Sequence, residues 1–113
     1  VYRVVLDEIV RKDTGDPLSP LAQIVRGAHM DVRISFVKAG FVPHGLHQHD
    51  SEQLMVVLDG AYLMQIGDEE HLLRAGDIVL IPPGVPHGGK TILQDLLVLE
   101  AHTPLLGAAA DGG

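Results

Sequence analysis

A chain of 113 residues can build one hydrophobic core but not two, so a single domain is expected. Eight Lys and Arg against fifteen Asp and Glu give a formal charge of −7, which repels phosphate backbones and anionic lipid surfaces and argues against nucleic-acid and membrane partners. The absence of cysteine excludes disulfides, thiolate metal ligands and a cysteine nucleophile, and it fits a cytoplasmic location.

No apolar run approaches the ~20 residues of a spanning helix, and the first residues lack the charged-then-apolar profile of a signal peptide. At the start of the chain, Val4, Val5, Leu6, Ile9 and Val10 fit neither the helical nor the strand period, so Val4–Val10 stays unassigned. Asp13–Pro20 reads as a polar loop carrying Gly15, Pro17 and Pro20, which sets an N-terminal arm apart. From Met30 onward, short β-branched and aliphatic runs alternate with glycine and proline, with turn signals about every 8–12 residues, the pattern of an all-β sandwich or barrel. Strands are predicted near Gln23–Arg26, Asp31–Lys38, Gly45–His49, Gln53–Asp59, Ala61–Ile66, Glu70–Arg74, Ile78–Ile81 and Leu96–Ala101. Gly60 and the pair Gly67-Asp68 read as hairpin turns, which implies an antiparallel meander. The predicted organisation is one domain: an arm with first strands over residues 1–29, a barrel core over 30–103 and a weakly packed tail over 104–113.

Chemistry concentrates in two places. In Val-Pro-His44-Gly-Leu-His47-Gln-His49-Asp, strand alternation puts His47 and His49 on one face, a two-toothed metal claw. Gln53 follows a short Asp50-Ser51-Glu52 connection, and His87 closes the run Pro82-Pro83-Gly84-Val85-Pro86-His87. A sheet curled into a barrel would gather these four groups around one cavity. Met55 and Val57 share the parity of Gln53 and should point inward, joined by Met64. His44 reads as a surface or rim residue, His71 as part of an exposed hairpin, and His29 as a loop or strand-edge residue. Tyr62 reads as packing or rim.

These residues resemble the cupin family, over about Gly40 to Leu99. The first family motif, Gly-x5-His-x-His-x3,4-Glu-x6-Gly, is followed by His47-x-His49-x3-Gln53-x6-Gly60, with glutamine replacing glutamate and the opening Gly40 one residue out of step. The second, Gly-x5-Pro-x-Gly-x2-His-x3-Asn, is matched by Gly76, Pro82, Gly84 and His87, with Thr91 in place of asparagine. The resemblance implies a jelly-roll β-barrel and one divalent ion, Zn, Mn, Fe or Ni, held by His47, His49, Gln53 and His87. A neutral amide in place of a carboxylate leaves the site the full charge of its metal, which favours Lewis-acid work on an anionic or carbonyl-bearing substrate. The final strand of such barrels passes beside the metal, so Glu100 and His102, of equal parity, are the candidate proton carriers.

Within the family, the similarity is greatest to small single-domain cupins that include the uronate-linearising proteins of pectin and alginate breakdown. Their terminal segment commonly carries an Asp and an Arg; here it reads Glu100-Ala-His102-Thr-Pro104-Leu-Leu106, and the arginine is missing. The resemblance therefore implies a metal-dependent isomerase, lyase or cyclase acting on a small oxygenated metabolite. An oxygen-dependent cupin dioxygenase and a non-catalytic small-molecule-binding cupin are the alternatives. Cupins of this size commonly pair through N-terminal strands, so the Tyr2–Val10 arm implies a homodimer.

Overall fold

The computed structural model describes Arg3, Val5 and residues 21–104, with side chains in the last segment from Ile24 onward. The unassigned Val4–Val10 segment and the predicted tail therefore lie outside the described residues, apart from Val5 and the tail's first residue, Pro104. Among the described residues there are six strands and no helix, so nothing there is a helix long and apolar enough to cross a membrane. The strands are β1 (Leu21–Arg26), β2 (Asp31–Val37), β3 (Glu52–Ile66), β4 (Glu69–Arg74), β5 (Ile78–Ile81) and β6 (His87–Thr103).

All pairings are antiparallel, but the order is β1-β2-β6-β3-β4 with β5 also on β3, not the predicted meander. The last strand lies between β2 and β3 because β3 and β6, 15 and 17 residues long, pair from Glu52–Thr103 to Ile66–His87. The inner face of β3, β4, β5 and β6 supplies a core of Met55, Val57, Tyr62, Met64, Leu73, Ile81, Ile92, Leu96 and Val98.

Two expectations need correction. Gly60 does not turn the chain: the predicted strands Gln53–Asp59 and Ala61–Ile66 are one continuous strand, and Gly60 lies in a run of register shifts between Val57 and Tyr62. Its positive φ of 89° is real, but it serves a bulge. A Cβ there would come within 2.1 Å of the Asp95 carbonyl oxygen on β6, so the position needs glycine for close approach as well. The inward set accordingly changes from the odd residues Gln53, Met55 and Val57 to the even residues Tyr62 and Met64. By contrast, Gly67-Asp68 does make the β3–β4 turn.

The second correction is Gly45–His49, which is not a strand. Its one bridge joins His47 to His87, each backbone N–H donating to the other's carbonyl at 2.9 Å. Pro43 has no N–H to give a ladder, and Gly45 adopts φ 101°, which breaks the extended run.

Candidate metal site and cavity

Backbone contacts bring the two motif segments together before any metal is considered. Besides the His47–His87 bridge, the Gly84 N–H donates to the His49 carbonyl at 2.8 Å, so the Pro82–Gly84 turn is laced to the histidine segment. The strand β6 begins at His87, and Gly88 lets the segment pass close by: a Cβ there would lie 2.3 Å from the Gly45 carbonyl oxygen.

The result is a cluster in which ligand nitrogens of His47, His49 and His87 lie within 4.8 Å of one another, so three imidazoles can hold one ion. Their ring centroids are 4.5 Å (His47–His87), 5.0 Å (His49–His87) and 6.0 Å (His47–His49) apart. Two rings have their tautomers fixed from behind. His87 Nδ1–H donates to the Val85 carbonyl at 2.8 Å, and His49 Nδ1–H donates to the Ser51 carbonyl at 3.2 Å. Each Nε2 then offers a lone pair to the cluster, as backbone carbonyls behind metal-binding histidines commonly arrange.

The donor set suits a divalent ion. His87 Nε2 is buried with no hydrogen-bond partner, which is costly for a polar atom unless something accepts its lone pair. His49 Nε2 lies 3.0 Å from Gln53 Oε1. Two lone-pair donors at that spacing repel unless a cation or proton lies between them, and donors bound at roughly 2.1 Å and a right angle to one ion are about 3 Å apart. Burial also holds the His87 imidazole below its ordinary range, with the neighbouring His47, His49 and His102 rings pushing the same way and the Val85 hydrogen bond opposing. A neutral imidazole is the form that ligates.

A cavity of about 630 Å³ opens beside the cluster, within the size range of small-molecule sites. Register grades its wall. Inward residues of β2 and β6 pair in successive rows, Asp31 with His102, Arg33 with Glu100, Ser35 with Val98 and Val37 with Leu96, so polarity falls along the strands away from Gln53. Glu100 lines the cavity, and burial pushes its carboxyl up to about 7, with Arg33 opposing and Asp31 adding.

The two proton-carrier candidates are placed differently. His102 is fully buried and stands behind the cavity wall, its ring centroid 5.3 Å from that of His49. Its Nδ1–H donates to Asp31 Oδ1 at 2.9 Å, which directs the Nε2 lone pair inward, 3.8 Å from Glu100 Oε2. Burial lowers its affinity for a proton although Asp31 raises it. Tyr62 is a cavity residue rather than a rim residue, its hydroxyl donating to Met55 Sδ at 3.0 Å and Met64 Sδ at 3.2 Å. Burial, reinforced by Glu100, raises its pKa and keeps it neutral. His44 is exposed at the rim, edge-on to Phe41, and His71 is 3.9 Å from Glu69 on the β3–β4 hairpin.

Asp31 and Arg33 are site residues that the sequence motifs do not single out. Their signal was present in the alternation Asp31-Val-Arg33-Ile-Ser35-Phe, but it named no inward face.

Comparison with known proteins now fixes the family. The family profile of the cupin domain matches residues 34–94, more than half of the chain. The chain belongs to the cupin family. It is 33% identical over 57 residues to the protein YdbB of Bacillus subtilis (strain 168), a match covering half of each chain, so the whole relative is only partly represented. In structure it is similar to KdgF from Halomonas sp. (TM-score 0.75, 24% identity, 88% of this chain and 92% of that one). It is also similar to an RmlC-like cupin from Shewanella frigidimarina NCIMB 400 (TM-score 0.78, 18% identity, 92% and 91%). At these identities the structural likeness is one of fold, the single-domain jelly roll.

Proposed function

We propose that this protein is a metal-dependent enzyme that acts on a small oxygenated molecule by isomerase, lyase or cyclase chemistry. His47, His49, Gln53 and His87 would hold the ion; Glu100 would carry the proton. When bound, a divalent ion in this neutral donor set supplies Lewis-acid polarisation of a carbonyl or an enolate oxygen. The protein's own part is proton handling. Glu100 reaches the same cavity as the histidine cluster, and a carboxyl with a pKa of about 7 can both give and take a proton near neutrality. His102 would stand behind Glu100, its ring held by Asp31 with Nε2 facing the carboxyl at 3.8 Å.

The observation that carries this reading is the shared cavity: His47 and His87 of the three-imidazole cluster, Gln53 and the buried acid Glu100 all line one space for a ligand. A homodimer and a small-molecule ligand, with no nucleic-acid or membrane partner, belong to the same proposal, supported by the charge of −7 and by the exposed Leu54, Ile78 and Leu80 on the outer face of the sheet.

Elemental analysis of untagged protein purified without chelator tests the metal reading, alongside a His47→Ala, His49→Ala variant. Near-stoichiometric Zn or Mn in the wild type, lost in the variant, is the expected result. Iron would bring oxygen-dependent chemistry forward, and a wild-type protein that neither carries nor takes up metal would overturn the proposal.

A further inference from the structure

The cavity has two chemically different ends. At one, Arg33 and Glu100 stand beside the histidine cluster; at the other, Val37, Phe41, Ile92 and Leu96 line the wall. These side chains belong to the core or pack against it, and the faces they turn to the cavity of about 630 Å³ make one end of its wall apolar. A sugar acid placed there would need a donor or acceptor for each ring hydroxyl, and Val37, Phe41, Ile92 and Leu96 supply none; the polar side chains nearby are Ser35, His44 at the rim against Phe41, and a Tyr62 hydroxyl already donating to two methionine sulfurs. A hydrocarbon group would displace weakly held water and needs no such partner.

The polar end is equally selective. Arg33, on β2, brings a fixed cation into the wall, close enough to draw the Glu100 carboxyl down against the effect of burial. A guanidinium presents a fork of N–H donors suited to a carboxylate. The arginine that the terminal segment lacks therefore has a counterpart on a different strand.

We propose that the ligand is a carboxylate with an apolar body, such as an aryl or aliphatic 2-oxo acid, rather than a polyhydroxylated sugar acid. Its carboxylate lies at the Arg33 and histidine end and its hydrocarbon part against Ile92, Leu96 and Phe41. The proposal rests on the metal-dependent reading above, and its test separates the two.

The three methionines provide the readout. Met55 and Met64 line the cavity, whereas Met30 is 46% exposed outside it, so methyl-labelled methionine gives two reporters and an internal control. Zinc uptake is first confirmed by calorimetry; the zinc-loaded protein is then titrated with phenylpyruvate and with galacturonate. Phenylpyruvate is expected to bind at least about ten-fold more tightly and to shift the Met55 and Met64 methyl signals while Met30 stays still. Arg33→Gln should weaken phenylpyruvate by about ten-fold or more and leave zinc uptake unchanged. Equal or tighter binding of galacturonate, binding of neither acid by the zinc-loaded protein, or an Arg33→Gln variant of undiminished affinity would overturn the proposal while leaving the metal reading intact. Failure to take up zinc would instead overturn the reading on which it rests.

Discussion

Glu100 is a carboxyl whose chemistry its surroundings alter. Its carboxyl shifts from an ordinary value of 4.5 to about 7, because ionising it in the cavity wall is opposed by burial. Between these values the unfolded chain loses its proton and the folded one keeps it, so stability falls as pH rises through this window and levels off above about 7. His87 and His102 act in the opposite sense: held below the ordinary imidazole value of 6.5 by burial, they cost stability when the unfolded chain takes up protons at acid pH. Glu100→Gln should therefore remove the descending arm and leave the ascending one. Urea unfolding of metal-free protein at about pH 5 and about pH 8 reads this, and wild type should lose stability relative to the variant on going to the higher pH. Parallel profiles would mean that Glu100 ionises in the fold as it does in water.

At the scale of elements, β2 reverses the usual reading of an alternating strand. Asp31, Arg33 and Ser35 face the interior while Val32, Ile34 and Phe36 occupy the other face. Polar-out is the default when one face of a sheet meets water and the other a dry core; here the inner face meets a polar cavity end. The histidine segment shows a related effect. His47 and His49 lie in one cluster although no strand forms there: the bridge to His87 holds His47, while the Gly84 N–H and the Ser51 carbonyl hold His49. That bridge depends on the close pass of Gly88 against Gly45. Gly88→Ala places a methyl against a backbone oxygen that cannot rotate away, and the segment must move. The expected cost is about 1–3 kcal/mol of stability together with weaker metal uptake, measured as a lowered melting temperature that added metal only partly restores. An unchanged melting temperature and metal stoichiometry would show that the loop accommodates the methyl without disturbing His47.

For the molecule as a whole, the outward face of the sheet is apolar across four strands. Val32, Ala101, Leu54 and Leu80 form one cross-strand row, and Ile34, Leu99, Val56 and Ile78 the next. Leu80 and Ile78 are 60% and 66% exposed, and a contiguous apolar patch of this kind marks an interaction surface. A second copy of the chain is the expected occupant, and light scattering should give a mass about twice 12.1 kDa. A species of monomer mass at all concentrations would remove the homodimer from the proposed function.

What the sequence determined by itself is what local spacing controls. Period-two parity put His47 with His49 and Gln53 with Met55 and Val57, glycine and proline placement marked the breaks, and the two motifs together specified the barrel and its histidine cluster. Tertiary structure decided everything that depends on which surfaces meet. Asp31 reaches His102 across 71 residues of sequence because β2 and β6 are neighbours in the sheet. Gly60 became a bulge instead of a turn because β3 and β6 pair along their whole length, and a positive φ satisfies either geometry equally well. The inward direction of Arg33 has the same origin: alternation fixes which residues share a face, but only the curling of the sheet decides which face encloses the cavity.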